Sequence, residues 1–155
     1  MNAAIPLLAV HCHVATDAVP WVPLSPGKAF KPLRFLAGNR GFVELLRLEP
    51  GAAIARHRHT GEVHAFNLHG ARELDTGEHV GPGEYVYEPA GNVDSWRVAG
   101  DDTLIVLVVV MGAVEYLDDA GNVAQRYDAA RLEKLYRRHC EESGIAAPDL
   151  WVASA

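Results

Sequence analysis

Gly51-Ala52-Ala53-Ile54-Ala55-Arg56-His57-Arg58-His59-Thr60-Gly61-Glu62-Val63-His64 is the stretch on which the fold turns. In an extended strand successive side chains alternate between faces, so Ala55, His57 and His59 share one face and Arg56 and Arg58 the other. Two imidazoles so placed converge on one point. This suits a transition metal, because neutral imidazole is a strong ligand and a strand holds the pair at a nearly fixed separation. Two surface histidines give the same local pattern, so the surrounding sequence has to decide.

On both sides of that stretch short apolar segments alternate with turn signals: Glu49-Pro50-Gly51, His69-Gly70, Gly81-Pro82-Gly83, Pro89-Ala90-Gly91-Asn92, Ala99-Gly100-Asp101 and Asp118-Asp119-Ala120-Gly121-Asn122. Spacing of this kind predicts an all-β sandwich or barrel. Gly41 to Leu48, Val63 to Leu68, Tyr85 to Tyr87 and Leu104 to Val110 are rich in Val, Ile, Tyr and Phe, as strands are. Leu104 to Val110 is apolar on both faces, which predicts a strand covered on its outer side by an N-terminal arm or a second copy of the chain. One helix is expected. Asp128 can cap it, Leu132, Leu135 and Tyr136 recur at helical spacing, and Gly144 can end it. The predicted layout is a proline-rich extended arm over 1–40, a barrel over 41–125, and a helix and tail over 126–155, all within one domain.

Later in the chain Gly83, Pro89, Gly91 and Asp94 are spaced G-x5-P-x-G-x2-D, while the first stretch reads G-x5-H-x-H-x4-H. These resemble the two cupin motifs, G-x5-H-x-H-x4-E and G-x5-P-x-G-x2-H, and the resemblance implies the cupin barrel, a double-stranded β-helix or jelly roll. His64 stands where the family has Glu, and Asp94 where it has His. The exchange leaves three imidazoles and one carboxylate as the implied ligand set. His57, His59 and Asp94 alone make a two-His, one-carboxylate face with open positions, as in non-haem Fe(II) oxygenases. The rival reading of Asp94 is the scar of a lost metal site.

His57 to His64 and Tyr85-Val86-Tyr87-Glu88-Pro89-Ala90-Gly91, with Trp21-Val22-Pro23 and Lys31-Pro32-Leu33-Arg34 upstream, look like the cupin branch of 2,4'-dihydroxyacetophenone dioxygenase and the acetylacetone dioxygenases. That resemblance implies Fe(II), O2 and a small carbonyl substrate cleaved at the adjoining carbon–carbon bond; Ni, Zn, Mn or Cu are the alternative metals for such ligands. It also makes Asp75 a rival to His64 for the fourth ligand position. Phe66, Tyr85, Tyr87 and Trp96 are candidates to line the substrate pocket. Glu88 is a candidate acceptor behind a ligand imidazole. The alternatives are a non-enzymatic cupin that binds metal or a small molecule as a sensor, and a metal-free isomerase using His64 with Asp94 or Asp75.

Composition narrows the classes further. The 155 residues are 49% hydrophobic and 22% charged with a net charge of −6, ordinary for one globular domain and unsuited to nucleic acid. The longest apolar run falls short of the ~20 residues a membrane helix needs. Cys12 and Cys140 make no disulfide framework, and a cytoplasmic location is expected. His11-Cys12-His13 reads as part of an arm pairing with a sheet edge. A homodimer through the arm and Leu104 to Val110 is the expected assembly.

Overall fold

Proline-rich sequence before residue 40 is where the structure departs most from the sequence reading. The computed structural model describes residues 13–150, which leaves His11 and Cys12 outside the described residues. Residues 22–36 form two strands rather than a loose arm: β1 (Val22–Ser25) and β2 (Lys28–Leu36) pair antiparallel through the Pro26-Gly27 turn. Both strand prolines fall at register shifts, Pro23 on an edge strand and Pro32 where β2 shifts against β3 (Gly41–Leu48). Bulges and edges are the places where a missing N–H breaks no ladder. The barrel therefore begins at Val22, not at residue 41.

The remaining strands are β4 (Ala53–His59), β5 (Val63–His69), β6 (Ala71–Leu74), β7 (His79–Val80), β8 (Tyr85–Glu88), β9 (Val93–Ala99), β10 (Leu104–Met111), β11 (Val114–Leu117) and β12 (Val123–Tyr127). They build two six-stranded sheets, ordered β1-β2-β3-β10-β5-β8 and β12-β11-β4-β9-β6-β7. Period-two alternation sends one face of each sheet inward: Leu104, Val106, Val108 and Val110 of β10 are buried beside Phe42 and Leu48 of β3. The outward residues of the same strand, Ile105, Leu107, Val109 and Met111, are half-buried, and Phe66, Leu68, Tyr85 and Tyr87 extend this apolar outer face. Helix α1 (Ala129–Ser143) starts and stops as its sequence predicts. Asp128 accepts a hydrogen bond from the Arg131 N–H at 3.0 Å, and Gly144 ends it in the left-handed region. Its Leu132, Tyr136 and Cys140 are buried, and it packs on β1 and β2. No helix among the described residues is long and apolar enough to cross a membrane.

Two turns at one end of the barrel lock together. The Thr60 N–H donates to Ala113 O at 3.0 Å, and the Ala113 N–H donates to Thr60 Oγ1 at 2.8 Å. The approach is so close that a Cβ on Gly61 would lie 2.4 Å from Met111 O. Gly61→Ala is expected to cost at least about 2 kcal/mol in urea unfolding, because the obstacle is backbone on a neighbouring strand and cannot rotate away. A loss under about 0.5 kcal/mol, the range of an ordinary surface change, would show that the two turns are not held so closely.

Candidate metal centre

Strands β4 and β9 pair antiparallel, and their register sets His57 directly opposite Asp94. Between Ile54 and His57 three steps along β4 match only two along β9, from Trp96 to Asp94, so β4 carries one extra residue. This bulge resets the alternation: Ile54 and His57 are both buried against the interior, and His59 follows two residues on. Beyond the site the Gly91 N–H donates to His59 O at 2.7 Å and the His59 N–H to Asn92 O at 3.0 Å, which ties the Pro89–Asn92 turn to the end of β4. Arg58 points outward and pairs with Glu115 of β11 at 3.0 Å.

His57, His59 and Asp94 each offer a ligand atom, and these atoms lie within 4.8 Å of one another. His57 Nε2 is 3.1 Å from His59 Nε2 and 2.9 Å from Asp94 Oδ1. Donors about 2.1 Å from one ion and at right angles to each other would be about 3.0 Å apart, so both spacings fit neighbouring positions around a single metal. The His57 Nδ1–H donates to Ala55 O at 2.8 Å, which fixes the ring and turns Nε2 toward the centre. Among the described residues Asp94 Oδ1 has no partner but His57 Nε2, and His59 Nδ1 is buried without a hydrogen bond. A buried carboxylate with so few partners favours a nearby cation, and a metal ion at this point fits the donor set.

The titration behaviour agrees with that demand. Burial would depress His57, but its hydrogen bond to Asp94 and the carboxylate's charge outweigh this and hold it above the usual imidazole range. Burial and the neighbouring His57 push His59 down to about 4, so it stays neutral and keeps a lone pair free. Burial would raise Asp94, but His57 prevails and holds it below the usual range. Glu88 is pushed upward, by burial first and by Asp94 second. It accepts a hydrogen bond from Asn92 Nδ2 at 2.8 Å, and its Oε2 lies 3.7 Å from His59 Nε2.

His64 does not join the three. On β5 the inward residues are Val63, Ala65 and Asn67, so His64 points outward, where its ring meets Tyr85 and Tyr87 and its Nε2 lies 3.5 Å from Glu62. Asp75 is also away from the centre, exposed in the turn between β6 and β7; the inward residue of β6 is Arg72. Of the four predicted pocket aromatics only Trp96 lines the cavity. Phe66, Tyr85 and Tyr87 stand on the opposite side of their strands, 39%, 57% and 50% exposed. The cavity measures about 470 Å³, and His57, His59 and Glu88 open onto it among apolar side chains that include Phe42, Leu46, Val108 and Val110. Glu44, Arg72 and Tyr116 also line it, and nothing in the sequence marked them, since period two assigns a strand residue's side only once the strand's phase is known.

Glu44 gives the centre a measurable pH signature. Burial pushes its carboxyl up to about 8 from an ordinary 4.5, and the ionisable group it influences across the cavity is the Tyr116 hydroxyl. The folded state therefore holds a proton that the unfolded state releases, so the stabilisation is complete below about pH 4.5 and is lost as pH rises through about 8. Urea unfolding should show stability falling over that window, and Glu44→Gln should remove most of the fall. An unchanged slope in that variant would mean Glu44 is ionised in the folded protein.

Among curated proteins none matches the chain. The ChrR Cupin-like domain family matches residues 9–115. An RmlC-like cupin protein from Ralstonia eutropha JMP134 is similar in structure, with a TM-score of 0.86 at 23% identity over 92% of this chain and 95% of that one. An acetylacetone dioxygenase from Acinetobacter johnsonii has a TM-score of 0.72 at 16% identity, over 83% and 91%. The anti-sigma factor ChrR, solved with SigE from Rhodobacter sphaeroides, has a TM-score of 0.53 at 23% identity over 59% and 49%. At such identities these likenesses establish the fold alone. The match over most of the chain's length establishes the family: this chain is a cupin and belongs to the ChrR Cupin-like domain family.

Proposed function

We propose that the chain is a metal-dependent dioxygenase, with Fe(II) as its metal, that cleaves the carbon–carbon bond next to a carbonyl in a small diketone or hydroxyacetophenone-like substrate. The observation that carries this reading is the His57, His59 and Asp94 cluster, whose two histidines line an apolar cavity of about 470 Å³. Two imidazoles and a carboxylate on one side leave the other side of an ion to substrate and O2. Fe(II) so held would supply Lewis acidity and electrons. Phe42, Leu46, Trp96, Val108 and Val110 exclude water from the reacting oxygen. Glu88, raised toward neutrality, can take and return the proton of an enolisable substrate. The likeness to an acetylacetone dioxygenase supports the substrate class.

Full-length protein expressed with iron should retain it, and should consume O2 with members of a panel of β-diketones and hydroxyacetophenones. Asp94→Ala should lower metal affinity by more than about 100-fold, since loss of a group merely behind a ligand already costs up to that much. Asp94→His should keep the metal. Unchanged metal content in Asp94→Ala, or no oxygen uptake by iron-loaded protein across the panel, overturns the reading. The second reading, a regulatory module, is favoured by the likeness to ChrR in its complex with SigE, and predicts metal binding without turnover of any panel member.

The apolar outer face of β10, β5 and β8 supports a homodimer, as a second copy would cover Ile105, Leu107, Val109 and Met111 together with Phe66, Leu68, Tyr85 and Tyr87. Light scattering at micromolar concentration should report twice the chain mass. A monomer mass would leave that face to water and end the dimer proposal.

A further inference from the structure

Two side chains in the cavity take no part in the metal triad and keep polar atoms without a hydrogen bond among the described residues. Arg72 on β6 and Glu44 on β3 reach the cavity from opposite sheets, and are 3% and 7% exposed. Among the described residues, Arg72 Nε and Nη2 and Glu44 Oε2 find no hydrogen-bond partner. The Arg72 guanidinium lies over the Trp96 ring, 4.9 Å from its centre, a contact that uses none of its N–H groups. Glu88 and Asp94 act on Arg72 through their charge, but neither hydrogen-bonds to it, Asp94 being engaged with His57 and Glu88 with Asn92. No cation among the described residues offsets the burial of Glu44, which pushes its carboxyl up to about 8, so at neutral pH it offers an O–H.

A buried polar atom without a partner destabilises a fold, and two side chains in one cavity leaving three such atoms indicate that the partner is a ligand. The planar fork of arginine matches a carboxylate or enolate, whose anionic oxygens can accept both free N–H groups. We propose that Arg72 and Glu44 form a ligand-recognition pair separate from the metal triad, and that the cavity takes a small organic anion with a further oxygen that accepts from Glu44. The pair deepens the oxygenase reading and rests on it only for the use of this cavity; the pair's own action needs no metal.

Acetoacetate tests this, being a carboxylate with a ketone oxygen, against acetoacetamide, its neutral counterpart of nearly equal size. Binding to the full-length protein is measured by calorimetry without O2, before and after dialysis against a chelator. Acetoacetate should bind at least about tenfold more tightly than the amide in both states. Arg72→Gln should abolish the difference, and Arg72→Lys should keep the charge preference but bind more weakly for want of the fork, which serves if Arg72→Gln does not fold. Glu44→Leu should weaken both probes by about tenfold while raising the melting temperature, because it removes an unsatisfied buried group. Glu44→Gln, which keeps a donor, should retain affinity.

Equal affinity for the two probes overturns the proposal, as does a preference that survives Arg72→Gln or disappears with the metal. A Glu44→Leu variant that binds normally, or that melts lower, makes Glu44 a structural residue and overturns its role. Metal content and oxygen uptake are read separately, so an anion site can fail while the oxygenase reading stands, and the reverse.

Discussion

Asp94 beside His57 in a largely buried, mainly apolar setting is the constraint around which the structure is arranged. A carboxylate there is tolerable only with a positive charge at hand, and the Nε2 to Oδ1 distance of 2.9 Å supplies one when His57 is protonated. A dication would supply it better. His59, held neutral, contributes no charge and is free to share its lone pair. The residues meet because β4 carries its extra residue before His57; without that bulge the alternation fixed by Ile54 would turn both histidines away from the cavity.

The remaining architecture serves to hold that register. The Pro89–Asn92 turn is bonded to His59 at both of its backbone groups, and the Thr60 turn is bonded to Ala113 across the barrel end. These contacts fix β4 at its end, where the second imidazole sits, while the hydrophobic interior fixes it along its length. Rigidity of this kind is what a metal site needs, since its ligand atoms must be placed before the ion arrives. The helix contributes from outside, where Tyr136 packs its ring 6.1 Å from Phe35 and its hydroxyl donates to Pro148 O at 3.0 Å.

Features set by local chemistry were legible in the sequence. The HxH pair, the P-x-G turn, the strand apolar on both faces and the ends of the helix depend on a few neighbouring residues, and all stand where the sequence puts them. What was not legible depends on phase or on partners far along the chain. His64 follows a turn that restarts the alternation with Val63 inward, so motif spacing alone misplaced it. Tyr85 and Tyr87 share one parity, and Glu88 has the other; an aromatic count cannot say which parity faces inward. Prolines hid β2, since only the register shift at Pro32 makes that strand compatible with one. Nothing local in the sequence marks Glu44 or Arg72, and their burial follows only from the closing of the two sheets over them.

The exchange of the family's His for Asp94 also changes what the cavity must balance. A neutral imidazole would leave a dication its full charge, whereas Asp94 cancels one unit and sits nearer its own strand because its side chain is shorter. Arg72 adds a unit back close by, with Asp94 and Glu88 both bearing on it through the low-dielectric interior. Glu44, protonated at neutral pH, offsets none of that charge, while Glu88, raised to about 6, is mostly ionised there and offsets about one unit, which still leaves a dication's surroundings with an excess of positive charge. A metal-loaded cavity of this composition is positive, and its apolar walls strengthen the field felt by whatever enters. Neutral carbonyl compounds have little to gain there unless they ionise on binding, as an enolisable diketone does. On the proposed reading, the ligand triad and the charge of the surrounding wall would favour the same property, an oxygen that becomes anionic as it is held.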